Sequence, residues 1–224
     1  MSGADLAALR WPKRFATWAL QTGTLGTALV CVALAMAFST LGAYRMANAV
    51  SVEDLVFGPT RSPAVDALLV AIGVERTAVL VYMLQRSFDA LVVASAVTPI
   101  FLWLLGSSAM HAAARLRGVR GRPYLPVLVL FAYAELVYQV PTSVAGVVLA
   151  GGPAGPLADV VSIAMLVWFA FVVHRGIELH YGVSGERALA IFAIGALAFY
   201  LLPLILIVGT LVAIVVAAAI LEYF

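Results

Sequence analysis

Long apolar runs, separated by short clusters of charged and turn-forming residues, dominate the hydrophobic pattern of this chain. Several runs are about 20 residues long, which is the length a helix needs to cross the hydrocarbon core of a bilayer. They do not alternate apolar with polar residues, as the strands of a membrane barrel would. Because lipid offers the backbone no hydrogen-bond partners, runs of this kind form helices. The pattern therefore predicts an all-α fold, a polytopic bundle of transmembrane helices.

Five of the runs are assigned as membrane spans of a single domain that covers residues 18–222. Their approximate bounds are 18–41, 89–110, 124–149, 157–178 and 187–221. The last run is longer than a bilayer requires and contains Pro203, so we favour one long, kinked or broken helix over a tight hairpin. Residues 1–17 form a basic interfacial segment, and without a cleavage signal the first span is expected to stay as an anchor.

A further apolar stretch, residues 64–86, is long enough to cross but carries Glu75 and Arg76 at its midpoint. Each charge at the bilayer centre costs about 2.5–3.5 kcal/mol on insertion scales. If the basic N-terminus is cytoplasmic, the arginine-rich loop after the 89–110 span is cytoplasmic only when 64–86 does not cross. We therefore predict that 64–86 is a non-spanning helical element on the outer side, either re-entrant or lying on the surface.

Composition excludes an ordinary soluble domain. The 224 residues are 64% hydrophobic and 11% charged, with a mean hydropathy of +1.09, whereas soluble domains carry about 25% charged residues. A nucleic-acid-binding surface would need a basic face on a soluble body, and none is indicated. Cys31 stands alone, which excludes an internal disulfide. We expect a multi-pass protein of the cell membrane with a cytoplasmic N-terminus.

Four of the thirteen basic residues lie within one short loop, at Arg115, Arg117, Arg120 and Arg122. Such clusters beside a span set its orientation, because positive loops stay on the cytoplasmic side. The same residues can also bind anionic lipid, since each cation near the membrane surface contributes about 1 kcal/mol. The two roles are compatible, and membrane lipids, anionic ones included, are the partners we expect.

The third span carries the one carboxylate that is clearly at membrane depth, Glu135. At 3.6 residues per turn, Tyr138, Gln139 and Thr142 share its stripe, and Pro141 leaves the carbonyl of Val137 without its usual amide donor. Burial favours the neutral form of such a carboxyl, which could then donate a hydrogen bond. One interpretation is a proton- or ion-linked pathway or a cavity for lipid headgroups. The other is a structural glutamate that fixes helix register.

His111, His174 and Glu178 are the weak candidates for a metal site, since imidazole and carboxylate suit zinc. No HExxH pattern accompanies them, and the helices that carry them need not be neighbours. No complete catalytic set is present either, and Ser184 in Gly182-Val183-Ser184-Gly185 is better explained as a helix cap than as a nucleophile. We expect no cofactor, no resident metal and no catalytic residues.

Three short segments resemble a known family. A basic, glycine-containing loop, RLRGVRGRPY, precedes a helix with AYAELVYQVP, and two helices later the turn HYGVSGERAL opens the last span. This layout, over about residues 20–210, resembles the prokaryotic branch of the Yip family of Ypt/Rab-interacting membrane proteins. The resemblance implies five spans and a cytoplasmic N-terminus, in agreement with the count of crossings.

The function expected from these observations is non-enzymatic: a Yip-type integral membrane protein with a membrane-organising or partner-binding role. The alternative is a small transporter or channel that uses Glu135. A transporter needs polar groups on other helices to meet Glu135, and the few candidates, Gln21, Thr98, Ser162 and Tyr200, favour the first interpretation. A protein partner and a homo-oligomer stay open, and no nucleic-acid partner is expected.

Overall fold

The structure, a computed structural model, describes residues 11–49, 51–58, 62–149 and 155–223, and it is helical with no strand in these ranges. Within these ranges nine α-helices follow one another in chain order. They are α1 Pro12–Thr22, α2 Leu25–Ala49, α3 Val52–Phe57, α4 Pro63–Ile72, α5 Val74–Phe101, α6 Ser107–Leu116, α7 Leu125–Leu149, α8 Gly155–Tyr181 and α9 Gly185–Tyr223. A π-helical segment, Leu102–Gly106, joins α5 to α6 without a break.

Five helices in the described ranges are long and apolar enough to cross a membrane, which confirms the predicted all-α, five-span class. Their apolar stretches are Leu25–Arg45, Val74–Leu116, Leu125–Leu149, Pro156–Tyr181 and Gly185–Ile205. At most half of any such stretch is buried within the protein. The exposed apolar side chains fit a lipid environment, because contact with water would disfavour them.

The first span begins later than the predicted residue 18. Residues 18–22 belong to the amphipathic α1, which buries Phe15, Ala16 and Ala19. After Gly23, which is extended, Thr24 and Thr27 form a reciprocal cap. The Thr24 amide donates to Thr27 Oγ1 at 3.0 Å, and the Thr27 amide donates to Thr24 Oγ1 at 3.3 Å. This capping box starts the spanning helix α2 at Leu25.

The structure divides the stretch predicted as one element over 64–86. Ser62 caps α4, and α4 ends at Gly73, whose φ of +87° suits a residue without a side chain. With ten residues, α4 is too short to cross a bilayer and remains the candidate for the non-spanning element. Residues 74–86 instead continue into the second span, because α5 starts directly after the break.

The helical stretch from Val74 to Leu116 contains 43 residues, which corresponds to roughly 65 Å at 1.5 Å per residue. That is about twice the thickness of the hydrocarbon core. Arg86 and Asp89 form an exposed ion pair at 3.4 Å within its first half. No charged residue follows until Arg115. The uncharged stretch 90–114, which holds all but the first residue of the predicted 89–110 span, is therefore the part that can lie in the membrane.

The last helix, α9, is continuous in its backbone from Gly185 to Tyr223 with Pro203 inside it. It agrees with the favoured single helix, and the described backbone contains no hairpin turn there. The third and fourth predicted spans, 124–149 and 157–178, correspond closely to α7 and α8.

The chain forms two compact units, and the first comprises Met1–Ala28, Phe101–Ala132 and Ala170–Phe224. Its helices approach closely at glycines. A Cβ at Gly176 of α8 would collide with the side chain of Leu130 of α7, and one at Gly195 of α9 would collide with Met110 of α6. Leu130 is fully buried and Met110 nearly so. Glycine at these positions is what lets large apolar side chains fill the interior.

The π-helical segment is also fixed by packing within this first unit. The indole Nε1 of Trp103 donates a buried hydrogen bond of 2.8 Å to the carbonyl of Leu128. At Gly106 an added Cβ would lie 2.9 Å from the ring of Phe131, so the ring occupies the space of a side chain. The wider π-helical turn and the absence of a side chain at Gly106 together leave room for the ring of Phe131.

The second unit comprises Leu29–Ile100 and Tyr133–Phe169. Here α2 approaches α7 at Gly42, where a Cβ would lie 3.5 Å from Ser143. The rings of Tyr138 and Phe169 pack with centroids 6.1 Å apart. The Gln85 side chain accepts a hydrogen bond of 3.1 Å from the amide of Val52 and so caps the short α3.

Candidate functional sites

The loop between α6 and α7 packs against the turn between α8 and α9, within the first unit. The guanidinium of Arg187 donates a hydrogen bond to the carbonyl oxygen of Arg117. Nε2 of His180 donates to the carbonyl of Pro123 over 2.9 Å. Two of the three segments that resemble the Yip family, the loop and the turn, are therefore in direct contact with each other.

Glycines in the left-handed region form both sides of this contact. Gly118 ends α6 with φ +80° and Gly182 ends α8 with φ +65°, as is usual where a helix terminates in a left-handed cap. A Cβ at Gly118 would lie 3.6 Å from a guanidinium nitrogen of Arg187, and one at Gly182 would lie 3.7 Å from a guanidinium nitrogen of Arg122. The local turns thus bring two arginines across the interface between loop and turn.

The side chains of the loop arginines face outward. Arg115, Arg117, Arg120 and Arg122 are all exposed. Among the residues that the structure describes, none of the four forms an ion pair with a carboxylate. The one acid of the neighbouring turn is Glu186, while Arg187 adds a further cation. The loop and the turn together form a cationic cluster with an excess of positive charge available to an anionic ligand.

A polar network that the sequence did not indicate anchors the loop to the helices. The hydroxyl of Tyr124 lies 2.7 Å from Ser107 Oγ and 2.9 Å from Ser108 Oγ. Nδ1 of His111 lies 2.8 Å from the hydroxyl of Tyr181. Because these pairs join α6 to the start of α7 and to the end of α8, they position the cationic cluster. The His111–Tyr181 pair spans 70 positions, so no local pattern could have indicated it.

The structure does not bring the three weak metal candidates together. His111 pairs with Tyr181, Nε2 of His174 lies 3.1 Å from the carbonyl of Gly185, and Glu178 forms an ion pair of 2.5 Å with Arg175. Over the described ranges, no group of three or more His, Cys, Asp or Glu could hold a metal ion. Each candidate side chain has instead a structural role of its own.

Glu135 is buried in α7, with 1% of its surface exposed. Its Oε2 has no hydrogen-bond partner among the described residues. The neighbouring groups of the predicted stripe are engaged elsewhere: Gln139 donates to Ser143 Oγ at 2.9 Å, and Thr142 donates to the carbonyl of Tyr138 at 2.8 Å. Sharing a stripe with Glu135 therefore does not give Gln139 a hydrogen bond to it in the part of the chain that the structure describes. An unpartnered buried carboxyl oxygen costs about 1–3 kcal/mol or more, which is unusual in a purely structural role.

Comparison of the chain with protein-family models, with curated proteins and with solved structures finds no match. The resemblance to the Yip family therefore depends on the loop, helix and turn segments of the sequence alone. The membrane-spanning fold, the cationic cluster and the buried Glu135 are the features from which a function must be argued.

Proposed function

We propose that this integral membrane protein organises membranes, without catalysis, by holding anionic lipid headgroups at its cationic cluster. The observation that supports this role is the set of four exposed loop arginines, which have no carboxylate partner among the described residues and whose loop is held in place by the turn. A guanidinium can bind a phosphate through two parallel hydrogen bonds, which suits a phospholipid headgroup. Binding alone is sufficient for such a role.

The size of the effect is large enough to matter. At about 1 kcal/mol for each cation near an anionic surface, four arginines contribute about 4 kcal/mol. That corresponds to roughly a thousandfold preference for an anionic over a neutral lipid surface. The cluster lies on the cytoplasmic side in this proposal, because that leaflet is anionic and positive loops are retained there.

Membership of the Yip family is part of the same proposal. The contact between RLRGVRGRPY and HYGVSGERAL supports it, since these are two of the three segments on which the resemblance depends. Five helices able to span a membrane agree with the layout that the family implies. The cluster also offers a surface to an acidic protein partner, and a measurement of lipid binding distinguishes that role from lipid recognition.

The test compares two double variants with the same change of charge. Arg120→Gln with Arg122→Gln removes two loop arginines, and Arg76→Gln with Arg86→Gln removes two exposed arginines from α5. Binding of phosphatidylglycerol to the purified proteins is measured by native mass spectrometry. The loop variant should bind about 30-fold more weakly, at about 1 kcal/mol per cation, while the α5 variant stays near wild type. Equal affinity in all three proteins would reject the proposal.

Proton-linked transport is the second candidate function, and one specific observation favours it. Glu135 is buried in a membrane-spanning helix and its Oε2 has no partner among the described residues; buried ionisable groups of this kind mark proton pathways in membrane proteins. Proteoliposomes loaded with a pH-sensitive dye, under an imposed pH gradient, test this role. Flux in the wild-type protein that is lost in Glu135→Gln would support it. Dye signals that match empty liposomes in both proteins would reject it.

A further inference from the structure

An apolar groove of about 390 Å³ lies between α6 and α9, within the first unit. Its lining residues are Leu105, Ser108, Ala109, Ala112, Ala198, Leu201 and Ile205. The groove opens outward, since Leu201 and Ile205 are 41% and 62% exposed. Three alanines on facing walls leave the depression between larger neighbours. The groove therefore lies on the outward-facing surface of this helix pair.

Close packing behind the groove explains how it forms. Gly195 of α9 receives the side chain of Met110 of α6, which draws the two helices together on their buried side. On the outer side, Ala112 and Ala198 provide too little side-chain volume to fill the space that remains. The one hydroxyl in the lining, that of Ser108, is engaged by Tyr124. No polar group of the groove therefore needs a partner from the ligand.

The groove leads towards the cationic cluster. Arg187 lies on the groove-lining face of α9, because Ala198, Leu201 and Ile205 follow it by 11, 14 and 18 positions. On α6, Arg115 follows Ser108 by seven positions, two turns along the same side of the helix. The hydrogen bond from Arg187 to the carbonyl of Arg117 joins these two helices at their loop ends. Cations thus lie at one end of the groove, and apolar side chains line the rest of it.

The shape and surroundings of the groove favour one lipid chain as its occupant. Its walls run along residues 105–112 and 198–205, eight residues each and about 10 Å of helix, around a volume of about 390 Å³. Apolar walls with cations at one end match the apolar chain and the negatively charged headgroup of a phospholipid.

We propose that the groove between α6 and α9 binds one acyl chain of the anionic phospholipid whose headgroup the cationic cluster holds. This inference rests on the proposed function, and it adds that the lipid is recognised by its chain as well as by its phosphate. A lipid that satisfies both parts is held as a specific ligand and not as exchangeable bulk lipid. Apolar contacts in the groove supply affinity, and the arginines supply the preference for negative charge.

The experiment fills the groove and keeps the charges. Ala198→Leu places a larger side chain in the groove, and Ala193→Leu makes the same change at an exposed position on another face of α9. Native mass spectrometry measures the affinity of purified protein for phosphatidylglycerol, for lysophosphatidylglycerol with one chain, and for glycerol phosphate without a chain. Phosphatidylcholine is the neutral diacyl probe.

Ala198→Leu should weaken both chain-bearing anionic lipids about tenfold, the loss expected when about two methylenes leave the groove, and should leave glycerol phosphate unchanged. Ala193→Leu should match wild type. Wild-type lipid affinity in Ala198→Leu would overturn the inference while the arginine variants still test the proposed function. Phosphatidylcholine bound as tightly as phosphatidylglycerol, or a dimer that dissociates in Ala198→Leu with unchanged lipid binding, would also overturn it.

Discussion

The guanidinium of Arg187 donates a hydrogen bond to the carbonyl oxygen of Arg117, a residue 70 positions earlier in the chain. The acceptor is the first residue after α6, where the carbonyls of a helix end lack partners of their own. A cation at this position also interacts favourably with the helix dipole. This one contact therefore caps α6, tethers the loop and adds a charge to the cationic cluster.

Loss of this tether should loosen the loop without unfolding the protein. In Arg187→Gln the amides of residues 118–122 should exchange with deuterium about fivefold faster, equivalent to about 1 kcal/mol for an exposed charged hydrogen bond. Hydrogen exchange followed by mass spectrometry measures this. Arg86→Gln, which removes an exposed arginine of α5, is the control. Loop exchange at the wild-type rate would show that the tether contributes nothing.

Membrane orientation is checked with single cysteines in a Cys31→Ala background. Cysteines at Ser51 and Pro156 should react with a membrane-impermeant maleimide added to intact cells, and one at Arg120 should react only after permeabilisation. The reason is the retention of positive loops on the cytoplasmic side. All three positions are exposed in the structure. Labelling of the Arg120 site in intact cells would invert the orientation proposed for the cationic cluster.

Replacement by alanine should affect the free energy of unfolding differently at two glycines, one in the close contact between α6 and α9 and one in open space on α7. Gly195→Ala places a Cβ against Met110 and should lower the free energy of unfolding by about 1–3 kcal/mol through overpacking. Gly146→Ala, where an added Cβ meets nothing within 4 Å, should be neutral or stabilising by about 0.5–1 kcal/mol. Thermal unfolding in detergent measures both. Equal melting temperatures for the two variants would contradict the packing described.

The buried carboxyl of Glu135 is expected to lower the free energy of unfolding relative to an apolar residue at the same position. Glu135→Leu removes a buried oxygen that has no partner in the described part of the chain, and it is expected to raise the free energy of unfolding by about 1–3 kcal/mol. Glu135→Gln keeps the shape and should change stability by less than about 1 kcal/mol. Chemical denaturation in detergent micelles provides the comparison. If Glu135→Leu is instead clearly destabilised, the carboxyl makes a stabilising contact, and the structural interpretation of Glu135 is favoured over transport.

The spans could be predicted because each is an uninterrupted apolar run, and lipid leaves such a run no alternative to a helix. The breaks were harder to predict. The charges at Glu75 and Arg76 predicted that the 64–86 stretch is a single element that does not cross, but they did not indicate the break at the neighbouring Gly73, whose φ of +87° ends one helix and lets the next begin. Likewise, the capping box at Thr24 and Thr27 is a local signal that apolar length alone obscures.

The candidate sites could likewise be predicted only in part. The exposure of the four loop arginines is expected from their charge, and the structure agrees. The hydrogen bond that tethers their loop could not be predicted from the sequence, because the contact between Arg187 and Arg117 depends on how helices far apart in sequence pack. For Glu135, helical spacing correctly placed Gln139 one turn away but could not indicate its acceptor, since Ser143 is equally close on the other side.

The burial of Leu130 against Gly176 has a consequence for sequence variation among relatives. The two positions share one volume, so a larger residue at 176 is tolerated only if 130 becomes smaller. Their substitutions should therefore be correlated, and the summed side-chain volume of the pair should vary less than the volume at either position alone. Gly176→Ala, harmful by itself, should be rescued by Leu130→Val, which makes the pair a register mark for aligning α7 with α8.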